Sequence, residues 1–94
     1  MGEPNIFNKL IIFMFYLIYL MNISLRQLRA FVTLAQSQSF AEASELLHLS
    51  QPALSVAIKN MEQETGGSLF SRSTRSLQLS PEGRQFLPVA RRLL

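Results

Sequence analysis

The chain has 94 residues, enough for one small domain and not for two. It holds no cysteine and one histidine, His48; this excludes a disulfide framework and a cysteine-ligated zinc finger and leaves almost no material for histidine-based metal binding or catalysis. Nine Lys and Arg against six Asp and Glu give a net charge of +3, too mild by itself to name a partner.

Residues 10–21 form an unbroken apolar run, Leu-Ile-Ile-Phe-Met-Phe-Tyr-Leu-Ile-Tyr-Leu-Met. A helix needs about 20 residues to cross a bilayer, so this run is too short. Its length and Lys9 would suit a signal-peptide core, but Asn22-Ile23-Ser24-Leu25-Arg26 follows with no small-x-small cleavage site. Residues 5–21 lack Gly, Ala, Arg and Pro and lean on types encoded by AT-rich codons, as an untranslated leader read in frame would. The expectation is that Met21 is the natural start, with residues 1–20 an apolar extension that is a start-site artefact or a disordered tail. If made, the segment would be aggregation-prone or would lie on a membrane surface.

From Ser24 the texture is that of an α-rich domain. Leu25, Leu28, Phe31, Val32 and Ala35 recur at helical spacing, which predicts an amphipathic helix over 25–37 with a Ser24–Gln27 capping box. Ser39 and Glu42 repeat the box before a helix over 40–47, whose buried side is expected to be Phe40, Ala43, Leu46 and Leu47. After the turn His48-Leu49, Ser50 caps a third helix with Pro52 in its first turn, and Gly66-Gly67 ends it. Leu69 to Leu79 reads as a hairpin whose turn lacks Gly or Asn, leaving the turn type open. Ser80-Pro81-Glu82 then starts a last helix running toward Leu94.

Charge is unevenly distributed over these elements. From Gly67 onward Arg72, Arg75, Arg84, Arg91 and Arg92 stand against Glu82 alone, whereas Ser39–Gly66 carries Glu42, Glu45, Glu62 and Glu64 against Lys59. A polyanion would be attracted mainly to the region after Phe70.

A projection at 100° per residue sorts the third helix into two faces. Leu54, Ala57, Ile58, Met61 and Thr65 share one, while Gln51, Pro52, Ser55, Val56 and Lys59 look away, with Glu62 on their side but late in the helix. The second face suits a DNA major groove. Gln pairs with adenine, Ser with several base edges, and Val or Pro can touch a thymine methyl. Lys59 can reach a phosphate. A capped helix, a short turn, a second capped helix with a polar start and an Arg-bearing hairpin make a winged helix-turn-helix.

Residues 22–94 resemble the N-terminal DNA-binding domain of a LysR-type transcriptional regulator. The resemblance rests on Leu25-Arg26-Gln27-Leu28-Arg29-Ala30-Phe31, Ser39-Phe40, Ala43 and Leu46, then on Ser50-Gln51-Pro52-Ala53-Leu54-Ser55, Ile58, Glu62 and Gly66. It continues through Leu69-Phe70-Ser71-Arg72 and Leu79-Ser80-Pro81-Glu82-Gly83. It implies a mainly α fold: a three-helix core, a small β-hairpin wing and the start of a C-terminal linker or dimerisation helix. The winged domain would span 21–80 and the helix 81–94. The DNA-facing set implied by the resemblance is Ser39, Gln51, Pro52, Ser55 and Lys59, with Arg72 and Arg75 on the wing; the helix start and its outer face add Ser50 and Val56 to the expected contacts. Phe86, Leu87, Ala90, Leu93 and Leu94 would form a seam for a second subunit.

Three positions depart from the family pattern. Val56 stands where many members have a polar or basic residue, Thr65 replaces the usual Leu before the glycine, and Ser44 replaces the second Ala of a pair. The implied function is sequence-specific binding of double-stranded DNA by a cytoplasmic, non-enzymatic regulator, as a homodimer and without a cofactor. The effector-binding domain of the family would follow residue 94, so no small-molecule effector site is expected in these residues. The rival readings are a small membrane-associated protein anchored by residues 6–21, and a dimerising fragment that modulates a full-length regulator.

Overall fold

Four of the helices start at a serine, and the reason is the same each time. The first amides of a helix have no intrahelical partner, and a serine hydroxyl at the cap supplies one. Ser24 Oγ accepts from Gln27 N at 3.2 Å, Ser39 Oγ from Glu42 N at 3.2 Å, Ser50 Oγ from Ala53 N at 3.1 Å and Ser80 Oγ from Gly83 N at 3.0 Å. Each such cap contributes about 0.5–2 kcal/mol. The computed structural model describes residues 6–21, 23–72 and 76–94, the side chains of residues 7, 15–21 and 72 excepted.

The order of elements is α1 (Ile6–Met21), α2 (Leu25–Ser37), α3 (Phe40–Leu47), α4 (Gln51–Thr65), β1 (Phe70–Arg72), β2 (Leu77–Leu79) and α5 (Pro81–Leu93). The reciprocal box expected at two caps closes fully at Ser24–Gln27, where Gln27 Oε1 accepts from Ser24 N at 2.9 Å. At Ser39 the forward bond carries the cap. Gln38 (φ 56°), His48 (φ 57°) and Gly66 (φ 82°) end α2, α3 and α4 in the left-handed conformation, turning the chain sharply after each helix. β1 and β2 pair antiparallel with Phe70 opposite Leu79, Ser71 opposite Gln78 and Arg72 opposite Leu77. The connecting turn, whose type the sequence left open, and Arg75 with it, lie outside the described residues.

The core lies where α2, α4, α5 and the root of the hairpin converge. Phe31 of α2 is fully buried at its centre. Its ring meets Phe70 of β1 edge-on at 5.5 Å and Phe86 of α5 at 5.3 Å, a geometry that lets ring edges face ring faces. Leu28, Leu34, Leu54, Ile58 and Met61 fill the space around it. Burial of each such side chain is worth about 1.5–3 kcal/mol.

Several expectations are corrected here. Leu46 is 63% exposed, while Ser44 is buried and donates its hydroxyl to Ala41 O at 2.9 Å. The inward stripe of α3 is Phe40, Ala43, Ser44 and Leu47, at the i, i+3, i+4, i+7 spacing of one helix face. Leu25, at the first position of α2, is 62% exposed; Ala30 and Leu34 are buried in its stead. Phe86 and Ala90, expected on a seam toward a second subunit, are buried within the chain itself. Within the apolar extension, Ile6–Met21 is helical, since an apolar run free of Gly and Pro contains nothing that stops a helix. Met14 of α1 packs against the core.

Candidate nucleic-acid interface

The turn between α3 and α4 is tight because α3 ends abruptly. His48 N donates to Glu45 O at 3.2 Å and Leu49 N to Ser44 O at 2.9 Å, so the last carbonyls of α3 are satisfied within the turn. Ser50 follows in extended conformation (φ −72°, ψ 156°), and Pro52 in the first turn of α4 lacks only an amide that would have had no intrahelical partner.

Beyond that point α4 has two unlike faces. Leu54, Ile58 and Met61 are fully buried, with Ala57 and Thr65 half-buried beside them. Gln51, Pro52 and Lys59 are exposed, Val56 is 56% exposed and Ser55 is half-buried. The projection therefore holds for Gln51, Pro52, Val56 and Lys59, whereas Ser55 and Glu62 are half-buried. From Gln51 to Lys59 the outer face runs about 12 Å along the axis at 1.5 Å per residue, a length matching the entry of a helix into a major groove.

Ser39 and Ser50 are occupied as caps. A hydroxyl that accepts from a backbone amide keeps its own hydrogen to donate, so both can still give a hydrogen bond to an anionic oxygen. Ser39 is half-buried at the start of α3 and Ser50 is exposed at the start of α4. Each stands at a helix N-terminus, which carries partial positive charge.

The hairpin is anchored at its root. Ser80 N donates to Leu69 O at 3.0 Å, and Ser80 Oγ donates to Ser68 O at 2.7 Å. Glu62 Oε2 accepts from Leu69 N at 2.9 Å and from Phe70 N at 3.4 Å. Glu62 is thus turned toward the hairpin. Sequence projection missed this role because the bond spans seven residues and leaves the helix. Arg72 ends β1, where its backbone pairs with Leu77.

Elsewhere, Met14 shares a cleft with Thr65, Gly67, Glu82 and Phe86. α1 therefore lies by the C-terminal end of α4 and the start of α5, away from Gln51 to Ser55. Among the described residues no group of three or more His, Cys, Asp and Glu is placed to hold a metal ion. Among the same residues no helix is long and apolar enough to cross a membrane.

Residues 25–84 match the family described as bacterial regulatory helix-turn-helix protein, lysR family. The chain is 46% identical over 70 residues to the HTH-type transcriptional regulator YbhD of Escherichia coli, covering 74% of this chain and 22% of that protein. It is 48% identical over 67 residues to the HTH-type transcriptional regulator CitR of Bacillus subtilis, covering 71% and 23%. Among solved structures, a BenM_DBD/catB site 1 DNA complex superposes with a TM-score of 0.71 at 41% identity, covering 74% of this chain and 79% of that one. A CbnR_DBD–DNA complex gives a TM-score of 0.71 at 36% identity, covering 74% and 80%. Oxidized OxyR of Corynebacterium glutamicum gives 0.73 at 41% identity, with 76% of this chain matched to 22% of that one. The chain thus spans less than a quarter of the length of YbhD and CitR and most of the length of the two DNA-bound domains.

Proposed function

The chain belongs to the LysR family of bacterial regulatory helix-turn-helix proteins, and from that footing we propose that it binds double-stranded DNA and reads its sequence through the outer face of α4. The observation that carries the reading is the division of α4 into a fully buried face of Leu54, Ile58 and Met61 and an outer face of Gln51, Pro52, Val56 and Lys59. Gln51 and Ser55 supply hydrogen bonds to base edges, and Pro52 and Val56 supply apolar contact to a thymine methyl. Lys59 reaches the backbone, as do the hydroxyls of Ser39 and Ser50. Arg72 and Arg75 hold the neighbouring backbone from the wing.

Members of this family act as regulators by binding, and the role we assign to these residues is DNA reading, with effector sensing outside it. We further propose pairing with a second copy through α5. Because Phe86 and Ala90 are committed to the core, the seam falls to the half-buried Leu87 and Leu93 with exposed Leu94.

The test is fluorescence anisotropy with labelled random-sequence duplexes over a salt series. Binding is expected with log K falling linearly against log salt, and Arg72→Ala should weaken all duplexes alike and lower the slope by about one. Salt-independent binding, or none, would remove DNA as the partner.

A further inference from the structure

Glu62 joins the reading helix to the wing. Its side-chain Oε2 takes the amides of Leu69 and Phe70 at 2.9 and 3.4 Å. Its backbone carbonyl takes Gly66 N at 3.0 Å, Gly67 N at 3.1 Å and Thr65 Oγ1 at 3.2 Å, closing the end of α4. From the opposite side Ser80 binds Leu69 O and Ser68 O. The root of β1 is therefore gripped between α4 and α5, two residues before Arg72.

The wing needs that grip. Strands of three residues in a two-stranded hairpin have too few bonds of their own to fix a direction. A carboxylate accepting backbone amides is a charge-assisted contact, stronger than its neutral counterpart. We propose that Glu62 is a positioning residue that sets the wing relative to α4, so that the α4 readers and the wing cation Arg72 meet one duplex together. The inference rests on the DNA-binding reading and gives Glu62 no contact with DNA.

Two substitutions separate this role from simple charge. Glu62→Asp keeps the charge and shortens the reach by one methylene; Glu62→Gln removes the charge and keeps an oxygen acceptor at the same reach. Anisotropy on random-sequence duplexes and on one duplex enriched by the wild-type chain reads both. Glu62→Asp should weaken every duplex alike by about five-fold and lower the salt slope by about one. Glu62→Gln, which keeps the reach but loses the charge assistance, should fall between wild type and Glu62→Asp in affinity and slope, and Glu62→Asp combined with Arg72→Ala should be no weaker than Arg72→Ala alone. Amide hydrogen exchange without DNA should show Leu69 and Phe70 opening faster in Glu62→Asp, with Leu54 and Ile58 unchanged.

The reverse order, Glu62→Gln binding tighter and Glu62→Asp unchanged, would mean that Glu62 acts only as a repelling charge. Additivity with Arg72→Ala would equally overturn the proposal. If the wild-type chain bound no duplex, the functional reading would fall, whereas unchanged exchange at Leu69 and Phe70 would sink the positioning role alone.

Discussion

Gly83 shows how one missing atom fixes the approach of two elements. A Cβ there would collide with the carbonyl oxygen of Leu69 and press on a methyl of Leu79. That carbonyl is the one Ser80 N binds, so neither partner can retreat without breaking the hairpin root. Gly83→Ala should therefore destabilise the fold by about 1–3 kcal/mol through overpacking. In thermal denaturation that corresponds to a midpoint lower by roughly 4–8 °C per kcal/mol for a domain of this size. A midpoint within a degree of wild type would mean that α5 does not pack this closely on β1. Gly83 entered the sequence reading only through family resemblance, because nothing local distinguishes it from an ordinary helical glycine. Glu62 was misplaced for a similar reason. A projection along one helix assigns a side-chain direction but cannot see a hairpin that folds back from seven residues further on.

At the level of elements, the features legible in the sequence were those with local causes. The serine caps, the glycine after α4, the alternation in β2 and the outer face of α4 all follow from bonds or periodicities within a few residues. The stripe of α3 was less legible because hydrophobicity and geometry disagree there. Leu46 is the more apolar residue, yet Ser44 holds the inward position and satisfies its hydroxyl on Ala41 O at 2.9 Å. The difference is measurable by chemical denaturation. Leu46→Lys should change stability by no more than about 0.5 kcal/mol, whereas Leu47→Ala, at a half-buried position against the core, should cost about 1–3 kcal/mol. Equal costs would place Leu46 inside. α5 teaches the complementary lesson. Its apolar pattern reveals a face that must be covered, and Phe86 and Ala90 turn out to be covered by the chain's own core.

On the scale of the whole molecule, the parts assigned to DNA lie on α4, the cap of α3 and the hairpin, while α1 sits by the far end of α4. Along the sequence the charge follows a different division: acidic residues are concentrated between Ser39 and Gly66, the stretch that also holds α3 and α4, and arginines dominate from the hairpin onward. Phosphate contacts from the wing and from Lys59 supply general affinity, and the start of α4 supplies discrimination. If that division is right, the two can be removed separately. The most direct measurement is selection of duplexes from a random-sequence pool by the wild-type chain, followed by base-by-base competition with Gln51→Ala. The account predicts that Gln51→Ala loses about 1–3 kcal/mol of preference at one base position and keeps the remaining preferences and its fold. Operator preference unchanged by Gln51→Ala would contradict it, and would mean that the outer face of α4 is not where this chain reads DNA.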